Sequence, residues 1–219
     1  MSRGEFHSMI KIGLVLYPQF TALDIVGPFQ TLVDVPGLDV FFVAESVGPV
    51  TDHTGRLVPN ATHAFIEIEA LDVVVVPGGF ADRVIDANNA VVQFVKRIHP
   101  TTQWTTSVCT GSIFLAHAGI LNGLAATTHW GSYDRLNALG AVATNQRVIQ
   151  VGKVITAAGV SSGIDMGLVL VQQLAGEETA KAIQLAIEYD PQPPFDSGSI
   201  SKASPELIAL VSKIFSYRT

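Results

Sequence analysis

Four consecutive valines at residues 73–76 constrain the fold of this 219-residue chain more than any other segment. β-Branched residues favour strands, and an apolar run without polar alternation is typical of a strand that is covered on both faces. Such strands belong to parallel sheets that carry helices on both sides. Pro77, Gly78 and Gly79 end the run. The segment therefore predicts a fully buried strand of an α/β protein.

Short apolar runs alternate with helix-like patterns along the rest of the chain, which indicates a doubly wound, mostly parallel sheet. Strands are predicted at residues 10–17, 39–44, 72–76 and 104–108, with hairpins at 50–65 and 147–157. Helices are predicted at residues 22–34, 88–98, 110–118, 161–175, 177–189 and 205–215. In the first helix, Thr21 is expected to be the N-cap, and Pro28 is expected to kink or break the segment.

The length fits one domain with a well-buried core, because single α/β domains commonly reach about 200–250 residues. The composition agrees, since 48% of the residues are hydrophobic and only 15% are charged. Met9 looks like a natural beginning, so residues 1–8 are interpreted as an artificial N-terminal extension. Residues 9–219 are then predicted to form a single α/β domain.

Several classes of function are disfavoured by the charge and by missing motifs. The net charge is −6 and no Lys/Arg run is present, so no nucleic-acid partner is expected. No apolar run reaches the roughly 18 residues of a membrane helix, and residues 1–8 lack the apolar part of a secretory signal. The histidines show no metal-ligand spacing, and no glycine-rich nucleotide motif occurs. We therefore expect a small-molecule substrate, no metal and no cofactor.

Cys109, the single cysteine, lies between a predicted strand and a predicted helix, as the nucleophile of an elbow turn does. Such a turn needs small neighbours two residues away, and Ser107 and Gly111 satisfy that requirement. The sulfur would then lie at the carboxyl end of the sheet, where open α/β folds bind ligands. The alternative is an inert buried cysteine. A single free thiol and no export signal favour a reducing cytoplasm.

Asp24 follows the first predicted strand and lies among apolar residues. It is either a helix cap or a buried carboxyl group with a raised pKa. If it meets the sulfur of Cys109, the two acidic groups will keep one proton, either shared or held on Asp24, which suits general-acid catalysis.

The glycines at 78–79 and a histidine are further candidates. Backbone N–H groups of Gly79 and Thr110 could bind an anion, or Pro77–Gly79 could be an ordinary turn. His129 could be a base, but a packed and hydrogen-bonded histidine is favoured because neither neighbour of Cys109 is a histidine.

Four segments together resemble the ThiJ/PfpI superfamily over nearly the whole length from Ile10 to Phe195. They are VVVVPGG at 73–79, TTSVCTGS at 105–112, AATTHWGS at 125–132 and AAGVSSGIDMGL at 157–168. The resemblance implies a flavodoxin-like sandwich with an elbow cysteine, and commonly a homodimer. Many members carry a glutamate where this chain has Asp24, and peptidase-like members carry a histidine where it has Thr110. Both departures resemble isocyanide hydratase.

That resemblance implies Cys109 as the nucleophile and Asp24 as the acid/base, with Thr110 and Gly79 contacting the substrate. The implied reaction converts an isocyanide to an N-substituted formamide without a cofactor. Two other functions stay open. One is a ligand or redox sensor, because AraC-type regulators have a similar amino-terminal domain. The other is another cysteine-dependent activity of the superfamily, such as that of a glyoxalase or deglycase.

Overall fold

In the part of the chain that the structure describes, the strands form one large sheet and two small ones. The structure, a computed structural model, describes residues 9–80 and 85–216. Within those residues the strands are β1 (Ile10–Val15), β2 (Leu38–Ala44), β3 (Gly48–Pro49), β4 (Asn60–Ala61), β5 (His63–Ala64), β6 (Val73–Val76), β7 (Trp104–Val108), β8 (Ala125–Ala126), β9 (Val142–Ala143), β10 (Val148–Val151) and β11 (Val154–Ala157). The interpretation of residues 1–8 as an extension lies outside the described residues.

The large sheet has seven strands in the order β10-β11-β7-β6-β1-β2-β5. All neighbouring pairs are parallel except β10 and β11, which form the hairpin predicted at 147–157. β1 therefore lies between β2 on one side and β6 on the other. In doubly wound sheets the point where the strand order reverses opens a crevice at the carboxyl ends of the strands. Here that point lies between β1 and β6, and the predicted flavodoxin-like α/β class is confirmed.

The helices are α1 (Ala22–Leu32), α2 (Ala90–Ile98), α3 (Gly111–His117), α4 (Tyr133–Ala138), α5 (Ser162–Ala175), α6 (Glu177–Ala186) and α7 (Pro205–Ser216). α1 packs against α5, and α2 packs against α3. All four valines of β6 are fully buried, as expected for a strand covered on both faces. None of these helices is both long and apolar enough to cross a membrane.

The apolar face predicted for α2 is confirmed. Val91, Val92, Phe94, Val95 and Ile98 are all buried, at the spacing that puts them on one side of a helix. The Asn89 side chain accepts a hydrogen bond from the N–H of Val91, which caps the first turn. Full burial of each such side chain contributes about 1.5–3 kcal/mol.

Pro28 was expected to kink or break the first helix, and a break is wrong, because α1 continues through Pro28 for four more residues. A proline clashes with the Cβ of the preceding residue in a helix, but that residue is Gly27, which has none. The Pro28 ring also lies against Gly163 of α5, where an added Cβ atom would come within 3.2 Å of the ring. Thr21 is at the N-cap position as predicted, but its side chain makes no capping hydrogen bond.

The chain divides into two compact units, which are residues 1–187 and 188–219. The first contains the large sheet and helices α1 to α6, and the second contains α7. The single domain predicted for residues 9–219 stays a prediction.

Candidate active site

Cys109 occupies a tight turn between β7 and α3. Its backbone φ is 58°, a left-handed conformation that costs a non-glycine residue roughly 1–3 kcal/mol. The N–H of Cys109 donates to the carbonyls of Ala157 and Ala158 at 3.0 and 2.8 Å. Its carbonyl accepts hydrogen bonds from Thr128 Oγ1 at 3.0 Å and Ser112 Oγ at 3.2 Å. These four bonds hold the strained residue in place.

The small neighbours that the elbow requires are present. A Cβ atom on Gly111 would lie 2.1 Å from the carbonyl oxygen of Val76, so only glycine fits there. Ser107 is fully buried in β7. The predicted elbow geometry is thus observed, and Cys109 lies at the carboxyl end of its strand beside the end of β6.

Asp24 lies in the first turn of α1 and is fully buried. Its Oδ2 accepts a hydrogen bond of 2.8 Å from the N–H of Gly78, and its carboxyl group is hydrogen-bonded to the side chain of Cys109. Residues 85 positions apart in the sequence therefore meet at the crevice between β1 and β6. Of the two interpretations of Asp24, the buried carboxyl group is observed, because its side chain bonds to the turn after β6.

The environment of Asp24 changes its acidity. Burial raises the pKa of Asp24 from 3.8 to about 7, and the hydrogen bonds from Gly78 and Cys109 oppose that rise only in part. The other carboxyl oxygen, Oδ1, is buried and has no hydrogen-bond partner among the described residues. An unpaired buried oxygen is costly when it carries charge. Near neutral pH, Asp24 can therefore both hold and release a proton.

Thr110 and the glycines after β6 form a crowded wall of the site. The N–H of Gly79 donates to Thr110 Oγ1 at 3.1 Å, and that hydroxyl also lies 3.3 Å from the carbonyl of Gly79. A Cβ atom on Gly78 would lie 2.5 Å from the backbone nitrogen of Thr110 and 2.9 Å from Asp24 Oδ2. Glycine is required here for the close approach of the turn to Asp24. Since the Gly79 N–H is engaged by Thr110, its contact with substrate stays a prediction.

His129 is a packed residue that makes a local hydrogen bond. Its Nδ1 accepts from the N–H of Gly131 at 3.2 Å, and its ring packs against Gly159. Burial lowers the pKa of His129, so the imidazole is neutral at neutral pH. The neighbouring Thr128, which the sequence analysis did not single out, binds the carbonyl of Cys109. The segment AATTHWGS, which carries part of the family resemblance, is the sequence feature that could have identified Thr128.

No group of three or more potential metal ligands occurs within residues 9–80 and 85–216.

The profile of the DJ-1/PfpI family matches residues 10–173, which is most of the chain. The chain belongs to the DJ-1/PfpI family. It is 41% identical over 191 residues to the isonitrile hydratase of Pseudomonas putida, a match that covers 87% of this chain and 83% of that enzyme. The crystal structure of a ThiJ/PfpI family protein from Pseudomonas syringae superposes with a TM-score of 0.89 at 34% identity. That match covers 95% of this chain and 87% of the other.

A transcriptional regulator belongs to the same set of relatives. The HTH-type transcriptional regulator CdhR of Pseudomonas aeruginosa is 30% identical over 135 residues, which is 61% of this chain but 40% of the regulator. Sequence similarity to this chain is thus found both in an enzyme and within a longer regulator.

Proposed function

We propose that this protein is an isocyanide hydratase that uses Cys109 as a covalent nucleophile and Asp24 as a proton shuttle. The observation that carries the proposal is the hydrogen-bonded pair of Asp24 and Cys109, in which burial raises the carboxyl pKa to about 7. The 41% identity to an isonitrile hydratase supports the choice of substrate class, and the coarser assignment to an enzyme related to that hydratase.

In the first half of the reaction, the sulfur and a proton both add to the terminal carbon of R–N≡C. The Cys109 thiolate forms a bond to that carbon, and Asp24 gives its proton to the same carbon as negative charge develops there. The product is a thioimidate, R–N=CH–S–Cys109, and an ionised Asp24. Covalent catalysis of this kind divides one difficult addition into two easier steps.

The second half consumes one water. The ionised Asp24 takes a proton from water while the hydroxide adds to the thioimidate carbon, and that proton passes to the nitrogen. The C–S bond then breaks as Asp24 takes the hydroxyl proton, which releases R–NH–CHO and restores the thiolate. Every proton is thus moved by one carboxyl group, and a pKa near 7 suits a group that must act as both acid and base.

Thr110 and Gly79 are proposed to contact the substrate from the wall of the site. Their mutual hydrogen bonds fix the Thr110 hydroxyl beside the acidic pair. A rigid wall would hold the isocyanide carbon in line with the sulfur, which lowers the entropic cost of attack.

The decisive experiment is a turnover assay with phenyl isocyanide, in which N-phenylformamide is measured by chromatography. Brief incubation followed by mass spectrometry should also show an adduct of one isocyanide on Cys109. If correctly folded protein produces no formamide above the uncatalysed rate, the proposed reaction is wrong.

The rate of hydration should depend on pH through Asp24. The protonated carboxyl group needed for the first step is present below its raised pKa of about 7 and is lost above it. We therefore expect kcat/KM to fall as the pH rises through about 7. A stopped assay from pH 5.5 to 9 measures this limb, and a profile that is flat across this range would contradict the assignment of the acid.

A ligand sensor is the second candidate, and the similarity to a transcriptional regulator is what favours it. The two candidates differ in turnover, because a sensor binds an isocyanide without releasing a formamide. The higher identity and the longer match to the hydratase support the enzyme as the first candidate.

We also propose that the protein is a homodimer, as the family resemblance implies. Leu23 and Val26 lie on either side of Asp24 in α1 and are 39% and 41% exposed, so a second copy could cover them. Light scattering after gel filtration should give twice the chain mass. A monomer at micromolar concentration would contradict the proposal.

The mechanism needs a reduced thiol, so we propose that the protein works in a reducing compartment such as the cytoplasm. Fractionation of the cells that produce it would test this location.

A further inference from the structure

Tyr17 lies two residues after the end of β1 and is buried, at 7% exposure. Its ring packs against the ring of Phe114 in α3, with centroids 4.8 Å apart. Its phenol donates a hydrogen bond of 2.9 Å to the carbonyl oxygen of Pro77. The residue thus connects the end of β1 to the turn after β6.

The peptide group that Tyr17 binds is the same one that binds Asp24. The carbonyl of Pro77 and the N–H of Gly78 belong to a single peptide unit, and that N–H donates to Asp24 Oδ2 at 2.8 Å. A hydrogen bond to a peptide carbonyl polarises the unit and makes its N–H a stronger donor. Phenol, peptide and carboxylate therefore form one continuous, cooperative chain of hydrogen bonds.

This peptide group is also fixed in position. Proline restricts the backbone on one side, and the Gly78 carbonyl accepts a hydrogen bond of 2.8 Å from the N–H of Thr21 on the other. Gly78 has no room for a side chain between Thr110 and Asp24. The effect of the phenol therefore reaches Asp24 through a rigid unit.

We propose that Tyr17 is a positioning residue of this site, whose phenol sets through the Pro77–Gly78 peptide how strongly the carboxylate of Asp24 is held. The catalytic consequence rests on the proposed hydratase function, whereas the effect on Asp24 itself does not. Loss of the phenol should weaken the Gly78 bond, which favours the ionised carboxylate. The midpoint for ionisation of Asp24 should then rise.

Among residues 9–80 and 85–216, the titratable side chain that is hydrogen-bonded to Asp24 is that of Cys109, from the turn after β7. Cys109→Ala removes it, so the titration of Asp24 is no longer coupled to that of the thiol. The midpoint can then be followed by NMR of protein labelled with ¹³C at the aspartate carboxyl groups. The resonance of Asp24 is identified as the one that Asp24→Asn removes.

We expect Tyr17→Phe in this background to raise the Asp24 midpoint by about 0.1–0.7 of a pH unit, the cooperative share of one charge-assisted hydrogen bond. The matched control is Thr106→Val. It removes a buried hydroxyl that donates at 3.0 Å to the carbonyl of Val74 in β6, and that peptide unit is not bonded to Asp24. The control should leave the midpoint unchanged.

A second measurement should shift the Asp24 midpoint in the opposite direction, and it needs no substitution of Tyr17. Incorporation of 3-fluorotyrosine makes the phenol a stronger donor, and it should lower the Asp24 midpoint. The same label in Tyr17→Phe should leave the Asp24 midpoint unchanged, which would exclude a contribution from the other three tyrosines.

An Asp24 midpoint that Tyr17→Phe and 3-fluorotyrosine both leave unchanged would overturn the proposal. Shifts of opposite sign support it even if no isocyanide is hydrated, because neither titration involves substrate. If hydration does occur, the falling limb of kcat/KM should move with the midpoint.

Discussion

Replacing Cys109 by alanine is expected to lower kcat/KM for isocyanide hydration by about 10⁴-fold or more, because the nucleophile of a covalent mechanism acts as a unit with its base. The fold should survive. The four hydrogen bonds that fix residue 109 use its backbone N–H and carbonyl, so an alanine side chain leaves them intact. Turnover of phenyl isocyanide is the measurement, with circular dichroism and thermal unfolding to establish folding.

Ser112→Ala is a matched control for this substitution. It removes the hydroxyl that donates to the Cys109 carbonyl at 3.2 Å and so perturbs the same turn while it keeps the sulfur. We expect most of the activity to remain in Ser112→Ala. If Cys109→Ala hydrates isocyanide at a rate near that of the wild type, the sulfur has no part in the reaction.

Replacing Asp24 by asparagine is expected to lower kcat by about 10²–10⁴-fold, the usual contribution of a general acid/base. The amide has almost the same shape as the carboxyl group, and its oxygen can still accept the Gly78 N–H. It cannot release or take a proton at the carbon of the isocyanide. Both half-reactions should therefore slow, and single-turnover measurements can follow formation and loss of the Cys109 adduct separately.

Asp24→Asn should also be more stable toward unfolding than the wild type, although it is less active. An ordinary aspartate ionises near pH 3.8 in the unfolded chain, but burial raises the pKa of Asp24 in the folded state to about 7. Ionisation therefore favours the unfolded state increasingly between those two pH values. Asp24→Asn should unfold at a higher temperature than the wild type at pH 8, with a smaller advantage at pH 4.5. If Asp24→Asn stays active and does not unfold at a higher temperature than the wild type, Asp24 has only a structural role.

The parts of the fold that the sequence predicted are those that depend on local patterns. The valines of β6 show by their composition alone that both faces of the strand are covered, and the spacing of Val91, Phe94 and Ile98 identifies the buried side of α2. The elbow at Cys109 could also be predicted, because a tight turn allows only small residues at 107 and 111. In each case the physical requirement falls on residues that are close in sequence.

The parts that could not be predicted depend on contacts between distant segments. From its sequence alone, Asp24 could be a helix cap or a buried acid, because the hydrogen bond that distinguishes the two comes from Gly78, 54 positions later. Pro28 was expected to interrupt α1, but the packing of its ring against Gly163 is a tertiary contact. α4, β8 and β9 were missed because they have only six, two and two residues, too few for a period to show.

The left-handed backbone at Cys109 limits which side chains could ever serve as the nucleophile of this scaffold. At a φ of 58° a β-branched residue is strongly disfavoured, whereas an unbranched one is tolerated at moderate cost. Serine at this position would therefore be tolerated, whereas threonine would be disfavoured. The torsion excludes β-branched side chains from the elbow but does not by itself select sulfur over oxygen.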